Sequence, residues 1–213
     1  MKELVAYAEE KDLPESAGLA LRANRELGNT YMLFGKPELG LPYFLKVYEI
    51  VVTDSPVQKR NVRITADLAL CYLALKSYPE AEEAIVRFLK AIEHEEHDGH
   101  DGEHDHGEHA DDGHHARPTV ASWWDSYLQA TLGAALLGGG KQEEAEALLK
   151  QGYQGMQVYR EQGRFYLTFF EWRQRMLTEQ LVAIFTALEQ PDKVAEYTEK
   201  LLTSKINIPV DSP

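Results

Sequence analysis

All eight histidines of this 213-residue chain lie in one polar stretch between His94 and His115. Aspartate and glutamate recur through the stretch, and glycines are interspersed among them. Neutral imidazole is the commonest protein ligand for zinc and also suits nickel, while nearby carboxylates add ligands or orient the imidazole rings. The stretch therefore predicts binding of a divalent metal such as zinc or nickel. Its candidate ligands are His94, His97, His100, His104, His106, His109, His114 and His115.

The spacing of these histidines permits several overlapping metal sites rather than one fixed ligand set. This favours buffering or capture of an ion by exchanging ligands over a closed structural site. The alternative is a solvated linker without a ligand in the cell, because so polar a segment cannot fold by itself. A pH sensor is a weaker possibility, since imidazoles with a pKa near 6.5 gain charge between about pH 7 and 5.5.

The net charge of −13 is concentrated in the same part of the chain. Residues 93–116 contain ten acids and no Lys or Arg, which leaves 25 acids and 22 bases elsewhere. The rest of the chain is therefore nearly neutral and lacks the basic surface that nucleic-acid binding requires.

No group of residues predicts catalysis. Every histidine lies in the polar stretch, where no rigid element would hold it against a serine and an aspartate. Cys71 lies in an apolar run, which is typical of a small core residue rather than a nucleophile. The three glycines at 138–140 follow a predicted helix rather than a strand, which indicates a turn rather than a phosphate-binding loop. We expect no enzymatic activity.

Signals for export or membrane insertion are not evident in the sequence. No run approaches 18 apolar residues, and acids interrupt the first ten residues, where a signal peptide needs an apolar run. The single cysteine cannot form an internal disulfide, which suits a reducing compartment. We expect a cytoplasmic protein without a membrane partner.

Four segments of the chain can be aligned as repeats. Each starts with a large apolar residue, usually followed by a small one, reaches a turn that contains Gly or Pro, and continues with apolar residues at helical spacing. The leading residues are Leu27, Leu68, Leu132 and Leu181. A small residue lets two antiparallel helices approach closely, and Gly or Pro suits the turn between them. Each segment is thus predicted to form a helical hairpin, and the hairpins must stack because none can bury its apolar face alone.

The intervals between the leading leucines are 41, 64 and 49 residues. Without the 24 residues 93–116, the second interval falls to 40 and nearly equals the first. We therefore predict one all-α solenoid of about four hairpins, preceded by a short helix. In it, residues 1–92 and 117–203 form the repeats, residues 93–116 form a disordered insert, and residues 204–213 form a tail.

The repeat residues resemble those of tetratricopeptide repeats, notably 27–31 (Leu-Gly-Asn-Thr-Tyr), 35–37 (Gly-Lys-Pro) and 78–84 (Tyr-Pro-Glu-Ala-Glu-Glu-Ala). The period near 41 is similar to the long repeats of the kinesin light chain type. Residues 123–156 and 190–197 resemble the repeat region that follows many bacterial serine/threonine protein kinases, which implies a bacterial protein; no kinase elements are present. Over residues 20–92 and 119–202, the resemblance implies an α-solenoid whose concave face binds peptides or proteins.

Some tetratricopeptide domains hold the C-terminal carboxylate of a partner with Lys, Arg and Asn on successive inner helices. Arg25 and Asn29 resemble part of that arrangement, and Arg22 lies on the same predicted helix face. Asp67, however, stands where the second repeat would be expected to offer Asn. The alternative for the three polar residues is a solvated helix face.

Seven aromatic residues fall between positions 153 and 172, and we single out Tyr166 and Phe170 as candidate anchors for a partner chain. The alternative is that these rings pack between extended helices.

Taken together, the patterns predict a scaffold that binds a peptide or protein on its concave face and requires no cofactor. The rival hypothesis is a metal-handling protein whose helical body carries the histidine-rich loop, and a subunit of a larger assembly is a third possibility.

Overall fold

The computed structural model describes residues 14–54, 61–98, 122–161 and 167–203, and these parts of the chain are helical, without strands. The helices are α1 (Pro14–Leu33), α2 (Pro37–Asp54), α3 (Asn61–Ala74), α4 (Tyr78–Asp98), α5 (Trp123–Gly138), α6 (Gln142–Glu161), α7 (Leu167–Ala187) and α8 (Pro191–Thr203). The predicted all-α class is confirmed. None of these helices has both the length and the apolar character needed to cross a bilayer.

Successive helices pair into four hairpins: α1 with α2, α3 with α4, α5 with α6, and α7 with α8. Proline begins α2 and α8, where its missing N–H costs no hydrogen bond. At the start of α5, the Ser122 side chain accepts from the Asp125 amide while the Asp125 carboxylate accepts from the Ser122 amide. This reciprocal pair satisfies two N–H groups that the helix itself leaves unbonded.

The four hairpin turns share one backbone geometry. Each contains a residue of positive φ, at Gly35 (64°), Lys76 (59°), Gly140 (85°) and Glu189 (54°). In every turn the amide of this residue donates to the carbonyl three residues back, and the next amide donates to the carbonyl five residues back. This is the Schellman motif that ends many helices. Each positive-φ residue lies eight positions after its leading leucine, so the turns support the register of all four repeats.

Small residues bring the helices of a hairpin into close contact. A Cβ atom on Gly28 would lie 2.7 Å from the ring of Phe44, and one on Gly133 would lie 2.8 Å from the side chain of Leu149. At Gly152, a Cβ atom would lie only 2.6 Å from backbone atoms of α5. The predicted role of a small residue after the leading leucine is therefore seen at Gly28 and Gly133.

The hairpins also pack on one another through one core. Hairpins one and two meet through α2 and α3, and hairpins two and three meet through α3, α4 and α5. Hairpin four joins through α7, which packs on α5, whereas α6 and α7 are not closely packed. One hydrophobic cluster runs from Met32 in α1 to Tyr197 in α8. Helix α7 also contacts α3, two hairpins away, although units of a linear repeat array contact only their neighbours.

Helix α4 extends further than the sequence analysis predicts. It ends at Asp98, so residues 93–98 continue the helix although they were assigned to the insert that begins at 93. The correction has a local cause, because these residues include no Gly or Pro and Glu favours helices. The remainder of the predicted insert, the short helix expected before the repeats and the tail 204–213 lie outside the described residues.

Two of the four turns hold a non-glycine residue in the left-handed conformation, which disfavours a Cβ atom. We expect Lys76→Gly to raise the midpoint of thermal unfolding, equivalent to about 0.5–1 kcal/mol. Gly140→Ala at the equivalent position of the third hairpin should lower it. Circular dichroism melts of both variants provide the measurement. A destabilised Lys76→Gly variant together with an unaffected Gly140→Ala variant would contradict the turn assignment.

Candidate functional site

A buried ion pair connects the second and fourth hairpins. Arg173 on α7 donates from Nε and a terminal nitrogen to the two carboxylate oxygens of Asp67 on α3, at 2.6 and 2.7 Å. Both side chains are almost fully buried, at 0 % and 1 % exposure. The guanidinium also lies 4.2 Å from the ring of Trp172 and 5.2 Å from that of Trp124. The bidentate geometry compensates for removing two charges from water.

This ion pair gives a structural role to Asp67, which stands where the tetratricopeptide carboxylate-binding pattern would have Asn. The carboxylate is neutralised by Arg173 and is not exposed to a partner. The two residues are 106 positions apart, and no local pattern in the sequence relates them. Burial, followed by the nearby Asp67 carboxylate, raises the pKa of Tyr127 well above its ordinary value.

The aromatic residues that flank the ion pair pack against one another. The ring of Phe170 lies 4.5 Å from that of Trp123 and 5.5 Å from that of Trp124, and Trp123 stacks on Tyr127 at 4.9 Å. Both tryptophans are buried. These contacts favour the alternative of helix packing for Phe170 over the anchor for a partner chain. Tyr166 lies outside the described residues.

Arg22, Arg25 and Asn29 occupy one face of α1, but they differ in exposure. Arg22 is exposed, and Arg25 is half-buried and pairs with Glu26 at 2.8 Å. Asn29 is 4 % exposed, and its side-chain oxygen has no hydrogen-bond partner in the described part of the chain. Helices α1 and α7 are not closely packed, so these residues do not form one site with Phe170.

The predicted metal ligands lie mainly beyond what the structure describes. The backbone of α4 includes His94 and His97, three positions apart, whereas His100, His104, His106, His109, His114 and His115 lie outside the described residues. Within the described ranges, no group of three or more His, Cys, Asp or Glu side chains is suited to hold a metal ion.

Cys71 has the core position that the sequence indicates. Its thiol is buried and donates to the carbonyl of Pro37 at 3.3 Å. Burial, with a smaller contribution from the Glu38 carboxylate, raises the pKa of the thiol to about 12. A thiol with so high a pKa is protonated near neutral pH and is therefore a poor nucleophile.

A groove of about 980 Å³, which sequence analysis did not predict, lies between hairpins three and four. Helix α6 forms one wall, and α7 and α8 form the other. Five amide side chains line it: Gln142, Gln154, Gln157, Gln174 and Gln190. At one end, Gln190 donates to the side-chain oxygen of Gln142 at 3.4 Å and so links the two walls. The glutamines gave no signal in the sequence because they become neighbours only through the angle between hairpins.

Aromatic residues form the floor of this groove. The Tyr153 hydroxyl on α6 and the Thr178 hydroxyl on α7 are hydrogen-bonded at 2.8 Å. Tyr197 on α8 contacts both Tyr153 and Phe185, with ring centroids 5.5 and 5.2 Å apart. Burial raises the pKa values of both tyrosines, to about 12 for Tyr197, so their hydroxyls are neutral near pH 7.

The charged residues along the groove are nearly balanced, with a small excess of bases. Its lining includes four bases and three acids, and the chain outside residues 93–116 has 22 bases and 25 acids. On α8, Lys193 and Lys200 flank Glu196 at 3.1 and 2.7 Å, and hydrogen bonding from Lys200 contributes most to lowering the pKa of Glu196. Two cations around one carboxylate leave this rim with a net positive charge.

Comparison of the chain with models of protein families, with curated proteins and with solved structures found no match in any of the three. The tetratricopeptide resemblance therefore rests on the repeat residues alone.

Removal of one member of the buried ion pair should destabilise the protein strongly. We expect Arg173→Met to lower the free energy of unfolding by about 3–5 kcal/mol, because Asp67 is then left as a buried, unpaired charge. The double variant Asp67→Leu/Arg173→Met should recover most of the loss. Arg175→Met is a matched control, since the half-buried pair with Glu179 at 3.0 Å is worth at most about 1 kcal/mol. Urea titrations measure all three, and equal losses for Arg173→Met and Arg175→Met would contradict the assignment.

Proposed function

We propose that the protein is a cytoplasmic, tetratricopeptide-like scaffold that binds a polypeptide segment of another protein and has no catalytic role. The observation that carries the proposal is the equivalence of the four hairpins, which share one turn geometry and pack in chain order. Stacked helical hairpins present extended surfaces whose residues come from several repeats, and such surfaces suit peptide recognition.

The proposed architecture is a short α-solenoid. In its support, α3, α5 and α7 contact each other as an inner row, and α1 extends the row through α3. The direct contact of α3 with α7 makes the curvature of this row tight. The Asp67–Arg173 pair and the surrounding rings fill the inner face at that point, which limits the room for a partner there.

Two surfaces remain for a partner in this proposal. One is the face of α1 with Arg22 and Arg25, which the sequence analysis predicts to belong to the concave site. Asn29 on the same face is buried and would make little direct contact with a partner. The other is the groove between hairpins three and four, which offers more enclosed space, with an aromatic floor and polar walls. The groove is the better supported of the two.

We expect the full-length chain to enrich specific sequences from a phage-displayed library of random peptides. Selection on native protein, with counterselection on heat-unfolded protein, removes peptides that adhere to exposed apolar surface. Synthetic copies of the enriched peptides should bind saturably when titrated by fluorescence anisotropy. Absence of any sequence that prefers the native chain would refute the scaffold proposal.

A second candidate function is the binding of zinc or nickel by the histidine-rich stretch. The observation that favours it is the extension of α4 to Asp98, because His94 and His97 then lie one turn apart on a helical backbone. Two ligands on a shared helix have a defined spacing, which lowers the entropy lost when a metal ion binds.

Calorimetric titration with zinc and with nickel tests this second function. We expect sub-micromolar affinity in the full chain, loss of that affinity on deletion of residues 94–115, and at least tenfold weaker binding in His94→Ala/His97→Ala. Millimolar affinity in the full chain would exclude metal handling. The deletion variant should retain peptide binding, because the scaffold proposal does not involve these residues.

A further inference from the structure

We propose that the groove between hairpins three and four binds an extended, acidic polypeptide segment and recognises it in part through its main chain. This inference rests on the proposed scaffold function and specifies the ligand and its site. The groove differs from the inner face expected from the sequence, because α6 and α8, the second helices of their hairpins, supply most of its lining.

The amide side chains of the walls select for an extended backbone. Gln154 and Gln157 on α6 face the same groove as Gln174 on α7. A side-chain amide is both donor and acceptor, so it can pair with a main-chain N–H or C=O group. An extended segment has such groups free, whereas a helix bonds them internally and docks through an apolar face into an apolar groove. Amides on both walls therefore fit an extended segment better than a helix.

The floor of the groove selects for apolar side chains at alternate positions. Leu149, Phe185 and Tyr197 are buried yet border the groove, and half-buried Tyr153 lines it as well. Successive side chains of an extended chain point in opposite directions, so every second one can reach this floor while the others face solvent. A helical segment would instead place apolar residues three or four positions apart.

The charge distribution selects for acidic residues in the segment. Lys193 and Lys200 form the positive rim on α8, whereas the wall formed by α6 carries one base and one acid, Lys150 and Glu146. Outside residues 93–116 the chain is nearly neutral, with 25 acids and 22 bases, so an acidic segment is attracted at this rim and meets little repulsion from the rest of the helical body. Such complementarity fixes where and in which register a segment docks.

The length of the groove sets the length of the segment. From Gln142 to Gln157, the wall of α6 extends about 22 Å at 1.5 Å per residue. An extended chain covers that distance with about seven residues at 3.3 Å each. The cavity volume of about 980 Å³ is at the upper end of the range for ligand pockets, which is consistent with a short peptide rather than a metabolite.

Phage-displayed random heptapeptides, selected on the full-length chain, test the ligand. The enriched sequences should carry net negative charge and apolar residues at alternate positions. Enrichment of basic sequences, or of apolar residues at spacings of three and four, would overturn the proposal. A synthetic copy of an enriched peptide with methylated backbone nitrogens should bind at least tenfold more weakly, and unchanged affinity would overturn main-chain recognition.

Substitutions in the chain test the location. Gln154→Ala/Gln174→Ala, and separately Lys193→Glu/Lys200→Glu, should weaken binding of the enriched peptide at least tenfold. Gln151→Ala is the matched control, because Gln151 is exposed on α6 but does not border the groove. Thermal melts identify any variant whose folding has changed, and the single variants Gln154→Ala and Lys193→Glu then replace it.

The outcomes separate the two levels of the proposal. If selected peptides bind but the groove variants leave affinity unchanged, while Arg22→Ala/Arg25→Ala lowers it, the groove is refuted and the scaffold function stands. If no peptide is enriched on the native chain, the scaffold function itself fails.

Discussion

The ion pair between Asp67 and Arg173 determines how the fourth hairpin joins the rest of the molecule. Because two opposite charges are buried among aromatic rings, the pair is stable only when both groups meet in good geometry. The ion pair therefore holds α7 in contact with α3, and α7 packs on α5 as well. Helix α7 therefore does not pack closely on α6, its predecessor in the chain, and the space between them becomes the groove.

The groove combines an aromatic floor with polar walls. The aromatic floor supplies apolar area, and the Tyr153–Thr178 hydrogen bond fixes the distance between α6 and α7 at the base. Several polar groups above the floor have protein partners, as in the Gln142–Gln190 hydrogen bond and the pairs of Lys193 and Lys200 with Glu196, so a ligand must compete with these contacts as well as bury apolar surface. Affinity at such a surface depends on how completely those polar groups are paired again.

Features encoded locally could be predicted from the sequence. The leading leucines and the glycines near the turns specify the hairpins, and the positive-φ residues Gly35 and Gly140 lie in those turns. The insert was predicted to begin at residue 93, whereas α4 continues to Asp98, because a run of glutamate and histidine is polar and yet compatible with a helix. The partner of Asp67 and the groove could not be predicted, since both depend on the angles at which hairpins pack. Metal binding by the histidine-rich stretch stays a prediction, because most of that stretch lies outside the described residues.

The contact of α3 with α7 also affects whether the hairpins are independent units. Many repeat arrays can be shortened by removing a terminal unit, because each unit interacts only with its neighbours. Here, removal of the last hairpin would leave Asp67 without its counter-ion two units away. The second and fourth hairpins are therefore coupled directly, and the last hairpin is not an independent terminal unit.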